Sequence, residues 1–459
     1  MMNYIELALL LVPIVLLLMA SIITIIRRPY DITQLAVLTS IVFILFPGIL
    51  FYTKSGFIEI VAFPIIPLEE EIVYALLFLT GYSFFLFLGS SLAVGYIELY
   101  SRYPHGENTT IPDGLNDSSP MTKRDRIVII GALCCFGYLF SVIFASKGLS
   151  LTQFFLPARY EMHTSNYVEI LYRLLPLSVA IVYTLKERRF TLIANLFFLI
   201  ALIAAISLAQ RRDIIVVLLS ILALNLVFSK SLNRQGQGLV IISRDKLKYI
   251  RKLSIYLLIF IVLIPVLWYM RSISTAIVRD HSAWTSPWES RGAVELLLRS
   301  PGIGFESFIA IRRMIDECGP IPAYSFIYPL YVWIPRALWP QKPIGPQGIV
   351  VDYYGLKGFP SIFLPGDLYI NFGPYLLWLG AVLVGFVLTY ISLKAYYKKN
   401  LFSEFLWIAT FSNLPTLIKN GIAAFFGLFG LTLVLLLIIS YFAKVGNRYS
   451  IVFSRKRPV

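Results

Sequence analysis

Arg159, Arg211, Arg212, Arg271, Arg279, Arg312, Arg313 and Arg336 recur in polar stretches beside long apolar runs. A guanidinium is a planar fork that holds a phosphate or carboxylate through two parallel hydrogen bonds. So many arginines kept at one membrane surface point to an anion bound there, although any single one also fits headgroup contact or a local ion pair. Arg211 and Arg212, wedged between two apolar runs, carry the sharpest signal. Carboxylates suited to acid–base work are fewer. Glu161 lies in Arg159-Tyr160-Glu161-Met162-His163, and Asp367 lies in Pro365-Gly366-Asp367-Leu368-Tyr369-Ile370-Asn371-Phe372-Gly373. Either carboxylate, or His163, is able to accept a proton from a hydroxyl group. Asp367 reads equally as a helix N-cap.

Other chemistries lack their signatures. There is no Gly-rich phosphate loop, no Asp-x-Asp pair and no His-Glu-x-x-His. The three histidines are widely spaced, so no metal site is expected. Cys134 and Cys135 lie in an apolar run and Cys318 stands alone in a long loop, which offers no disulfide framework. The net charge of +15 comes from short basic clusters between apolar runs. That distribution fits membrane topology signals and anionic headgroups, not a nucleic-acid face.

The elements that must position these residues are set by lipid. The chain is 58% hydrophobic and 14% charged, with a mean hydropathy of +0.77. Runs long enough to cross a hydrocarbon core recur throughout, and inside lipid they must be helical. Hydropathy predicts helices over 5–26, 32–52, 71–95, 127–145, 167–185, 190–209, 214–229, 253–270, 370–393, 401–420 and 422–443. Residues 5–26 are too long for a signal-peptide core and are followed, not preceded, by Arg27 and Arg28. Six basic clusters hold more than half of the 40 Lys and Arg residues, and two predicted helices separate each cluster from the next. All six then face the cytoplasm. The expectation is an all-α polytopic membrane protein of about eleven transmembrane helices, N-terminus out and C-terminus in.

Residues 401–420, with Glu404, Asn413 and Lys419, are expected to span with their polar face turned into the protein. Glu169 and Arg173 stand i,i+4 in the fifth helix, as a structural or a functional ion pair. The expected organisation is helices 1–8 over residues 1–270, an outer loop over 271–369, and helices 9–11 with a basic tail over 370–459. The loop holds Trp284, Trp288, Trp333 and Trp339, and helices are expected in it at 288–300, 304–317 and 324–338. The first two are amphipathic and suit the headgroup plane. A folded cap that only stabilises the bundle is the plainer reading of the loop.

The stretch Ile334-Pro335-Arg336-Ala337-Leu338-Trp339-Pro340-Gln341-Lys342-Pro343, with Gly366-Asp367-Leu368-Tyr369-Ile370-Asn371-Phe372-Gly373, resembles the Wzy-type O-antigen and capsule repeat-unit polymerases of bacterial inner membranes. Members of that family often carry Glu where this chain has Asp367. The resemblance implies a GT-C-type glycosyltransferase with its active site on the periplasmic side and no cofactor. Its substrate would be an oligosaccharide repeat unit on undecaprenyl pyrophosphate, and its partners membrane lipid and a chain-length-regulating co-polymerase. A pyrophosphate leaving group accumulates charge, and without metal ligands arginines must meet it. Arg211, Arg336 and Asp367 are therefore expected to be catalytic, with Asp367 as general base. Arg159, Arg212, Glu161, His163, Arg271, Trp339, Lys342, Tyr369 and Asn371 are expected to bind substrate. An O-antigen ligase using the same donor, and a flippase for the same lipid, remain alternatives.

Overall fold

The computed structural model describes residues 4–28, 31–45, 48–49, 68–102, 293–332, 334, 338–356, 360–398, 403, 406–407, 409–411, 413–427 and 429–430. Every regular element among them is helical. In chain order these are α1 (Tyr4–Arg27), α2 (Ile32–Ser40) running into a π-helical turn at Ile41–Leu45, α3 (Glu69–Arg102), α4 (Ala293–Cys318), α5 (Tyr324–Tyr331), α6 (Pro346–Tyr354) and α7 (Phe363–Lys398). Two stretches are long and apolar enough to cross a membrane, Glu70–Leu99 in α3 and Phe363–Ala395 in α7. These seven helices belong to one compact unit, built from Met1–Ser101, Pro287–Lys399 and Asn413–Gly430. Of the second unit, residues 403, 406–407 and 409–411 are described, and there Trp407 stacks on Phe411 with ring centroids 5.0 Å apart.

Helices α3 and α7 run parallel and touch backbone to backbone. A Cβ added to Gly89 would lie 2.1 Å from the carbonyl oxygen of Val382, and one added to Gly385 would lie 2.1 Å from that of Leu86. Close approach at small residues is how helices associate in lipid, where dispersion contacts replace the hydrophobic drive. Below this seam Trp378 packs on Phe78 and Phe85, at 4.4 and 5.2 Å between ring centroids. Gly89→Leu or Gly385→Leu is expected to force the pair apart at a cost of about 1–3 kcal/mol. The loss should show as a lower thermal midpoint in detergent, and an unchanged midpoint in both variants would remove the seam from the account.

The ends of α1, α3 and α7 meet the start of α2 in a buried polar tie. Asp31 caps α2 by accepting from the Thr33 amide at 3.0 Å. It also accepts from Ser90 and Thr389, both at 2.9 Å. Thr33 donates to the Gly385 carbonyl and Ser392 accepts from the Ile32 amide, while Gln34 donates to Ser90. Beside the tie, Arg28 pairs with Glu98 at 3.7 Å.

Three expectations change. The helices expected at 288–300 and 304–317 are one continuous helix, α4, with Pro301 inside it. Its second half turns its apolar face into the protein: Phe305, Phe308, Ile309, Ile311 and Met314 are buried, and Phe308 packs on Phe78 and on Tyr369 of α7. The helix expected at 370–393 is preceded by a short helix from Phe363, with Pro365 in its first turn, where a missing N–H costs nothing. The helix expected at 324–338 ends at Tyr331.

Candidate functional site

Helix α7 is broken. Gly373 takes φ +63° and ψ −168°, and Pro374 follows, so residues 363–372 form a short helix ahead of the long one. A second break lies at Gly421, with φ +80°, between helical turns at 413–420 and 422–427. Asp367, in the short helix ahead of the first break, packs against the second.

Its carboxylate is fully buried at 0% exposure. One oxygen accepts from the Ile422 amide at 2.5 Å, and the Ala423 amide donates to the carboxylate as well. The other oxygen accepts from the Ser325 hydroxyl and, at 3.5 Å, from the Asn371 amide. Asp367 therefore acts as the N-cap of a helix other than its own, satisfying donors that a helix start leaves open and placing negative charge at the positive end of the dipole. Four donors occupy an acceptor with about four lone-pair sites, so the carboxylate expected to act as a base is held by protein groups and positions its neighbours.

Asn371 completes the hub. Its side chain accepts from the Ser325 amide at 2.8 Å and donates to the Ser325 hydroxyl at 2.8 Å and the Asp367 carbonyl at 2.6 Å. Tyr369, on the opposite face, donates to Asp316 at 3.0 Å and packs in the aromatic cluster of Phe78 and Phe308. Asn371 and Tyr369 thus serve the packing of α7 against α5 and α4. Gly366 belongs here too, because a Cβ there would lie 2.7 Å from Ile311 of α4.

Helix α5 connects the two sequence stretches that carry the family resemblance. On one side Ser325 binds Asp367 and Asn371. On the other, Tyr324 donates to the Ile344 carbonyl, and Tyr331 meets Trp339 edge-on at 5.6 Å. Lys342 donates to the carbonyls of Val332 and Ile334 at 3.0 and 2.8 Å. Expected to contact substrate, Lys342 instead closes the end of α5, as a cation at a helix C-terminus does. Trp339 remains 37% exposed, in reach of a ligand or a lipid.

Among the arginines expected on the outer face, Arg312 and Arg313 are described, and both are engaged by protein groups. Arg313 forms a two-pronged pair with Glu71, at 2.7 and 2.5 Å. Arg312 lies 3.8 Å from the centre of the Tyr74 ring and 3.2 Å from Asp316. Arg159, Glu161, His163, Arg211, Arg212, Arg271 and Arg336 lie outside the described residues. No group of three or more His, Cys, Asp or Glu side chains suited to a metal occurs among the described residues.

Sequence reasoning missed Ser325, which joins both stretches, and Glu306. Glu306 is buried in α4, where loss of hydration pushes its carboxyl up to about 7. A lone Ser at a helix start and an acid in an amphipathic pattern give no signal that separates them from surface residues. Comparison with protein-family models, characterised proteins and solved structures returned no match. The class that the chain itself defines is a mostly helical protein with membrane-spanning capacity in α3 and α7.

Proposed function

We propose that this protein is a periplasm-facing glycosyltransferase of the bacterial inner membrane that polymerises oligosaccharide repeat units carried on undecaprenyl pyrophosphate. The observation that carries this reading is the junction at α5. The two motif stretches at 334–343 and 366–373, far from contiguous in sequence, meet on either side of one short helix through Tyr324, Ser325 and Tyr331. Motifs that share one hydrogen-bonded unit act together, and this unit sits where the α7 span begins.

In this reading the chain has about eleven spans, and the end holding Asp31 and Glu98 faces the cytoplasm. The growing chain leaves its lipid pyrophosphate and joins the terminal sugar of a second lipid-linked unit. Arg211 and Arg336, with Arg159, Arg212 and Arg271, hold the departing pyrophosphate. A transition-state charge met by fixed donors in a dry site is the largest available catalytic term. With Asp367 committed to the helix break, Glu161 or His163 takes the proton from the acceptor hydroxyl. Trp339 packs on a sugar ring or on lipid at the rim, and a co-polymerase that sets chain length is the expected partner.

Purified protein in liposomes, supplied with a defined lipid-linked repeat unit, should yield a ladder of products differing by one unit each. Transfer to lipid A core without a ladder would indicate the ligase instead. A second reading is favoured by the paired breaks at Gly373 and Gly421. Discontinuous helices are a feature of transporter binding sites, where the broken ends meet substrate or ion within the membrane. Passage of the intact lipid-linked unit across the liposome membrane, with no polymer formed, would select that reading.

A further inference from the structure

Helix α5 buries one face and exposes the other. Ser325 is fully buried, whereas Phe326, Ile327 and Leu330 point outward, Leu330 at 78% exposure. The apolar surface continues past the helix through Ile334 and through Leu338, also at 78%. Water is a poor partner for a contiguous patch of this kind.

Two observations identify what covers it. The first is continuity. Phe326 packs against Phe372 at 5.8 Å, at the last turn before the α7 break. Immediately beyond, α7 exposes Tyr375, Leu376, Leu379 and Leu383 along one stripe of its membrane-spanning segment. The α5 patch is thus an extension of the surface that α7 presents to lipid. Ser325 bonds to Asp367 and Asn371 in the short helix just ahead of the α7 break, which seats α5 beside the start of the long apolar helix.

The second observation is that the backbone of α5 is closed at both ends by protein groups. The Ser325 amide is taken by Asn371, and the Phe326 and Ile327 amides by the Ala323 carbonyl at 3.0 Å each. At the other end Val332 and Ile334 give their carbonyls to Lys342, while the Tyr328 and Tyr331 carbonyls accept from the amides of Val332 and Ile334. Groups met internally in this way can enter lipid without an unpaired N–H or C=O, as a helix at the bilayer interface requires.

We propose that α5 is an interfacial membrane helix, with Phe326, Ile327 and Leu330 immersed among the acyl chains of bilayer lipid. It anchors the loop segment at 319–345 to the membrane surface beside α7. This requires only that α7 spans the bilayer, and it is independent of the sugar chemistry proposed above.

The test places single cysteines at Ile327, Leu330, Leu379 and Asp352 in a full-length chain whose Cys134, Cys135 and Cys318 are serine. Each is labelled with an environment-sensitive fluorophore and reconstituted into phosphatidylcholine vesicles with or without brominated acyl chains. Leu379 reports the span, and the exposed Asp352 reports water. Labels at Ile327 and Leu330 should lose about half or more of their emission to bromolipid and resist aqueous iodide, as Leu379 does. Iodide quenching equal to that at Asp352 would overturn the proposal. So would protection from both quenchers, which would mean that protein covers the patch. Failure of bromolipid at Leu379 as well would overturn it by removing the α7 span on which it rests.

Discussion

Gly421→Ala is expected to cost a large share of the folded protein, because it combines a strained backbone with a clash at a buried hub. The backbone at Gly421 has φ +80°, a region that costs an L-residue about 1–2 kcal/mol. The added Cβ would also lie 2.5, 2.6 and 2.7 Å from Oδ2, Cβ and Cγ of Asp367. Asp367 has nowhere to retreat, because Ser325, Asn371 and the Ile422 amide hold it. Asp367→Ala is the complementary lesion. It removes the Oδ2 and Cγ contacts, though its Cβ stays 2.6 Å from the added methyl, and leaves the Ser325 hydroxyl and the Ile422 amide buried without an acceptor, at about 1–3 kcal/mol each. The two changes should therefore be only partly additive, with the double variant less damaged than the sum but still worse than Asp367→Ala by at least the left-handed backbone cost. Recovery of monodisperse protein from detergent extracts, with the thermal midpoint, measures all three. Asp367→Asn distinguishes positioning from catalysis. If it folds with a wild-type midpoint yet loses turnover, the carboxylate reacts with substrate and the positioning role is wrong.

The second large effect concerns activity. Arg211→Lys and Arg336→Lys keep the positive charge but lose the fork that meets two phosphate oxygens at once. Loss of one fixed donor at a developing charge lowers a rate by about 10²–10³. Long products should vanish while single lipid-linked units remain. Arg313→Lys supplies the contrast. Its guanidinium is given to Glu71 through two short bonds, so the expected consequence is weaker packing of α4 on α3, not a shorter polymer. Normal product length in both Arg211→Lys and Arg336→Lys would remove the pyrophosphate clamp.

Much of the helical framework was legible because lipid makes its demands locally. The expected 5–26 and 71–95 fall inside α1 and α3, since unbroken apolar runs ending in basic residues leave few alternatives. What was not legible depended on partners distant in sequence. Asp367 was expected to be a general base, with a helix N-cap as the plainer alternative; the amides it meets belong to the turn starting at Ile422, and nothing near position 367 announces that. The gap expected between 300 and 304 does not interrupt α4, which runs on through Pro301. The amphipathic pattern of 304–317 suggested a surface, but its polar face is used by Glu71, Tyr369 and Tyr354, which bond to Arg313, Asp316 and the Ala310 carbonyl. Lys419, expected to turn inward, is exposed. The break at Gly421 falls between the helices expected at 401–420 and 422–443, where one glycine in an apolar run was the only local cue.

The tie at Asp31 also bears on how the chain is made. Its bond to Thr389 spans 358 residues, and the neighbouring bonds to Ser392 and Gly385 span 360 and 352. At ~5–20 residues per second, the N-terminal hairpin leaves the ribosome on the order of half a minute before those partners exist. Until then Asp31 has its Thr33 and Ser90 donors but not Thr389, and Thr33 waits for the Gly385 carbonyl. The tie is in consequence completed late, and a chain that stops short of α7 leaves it half made.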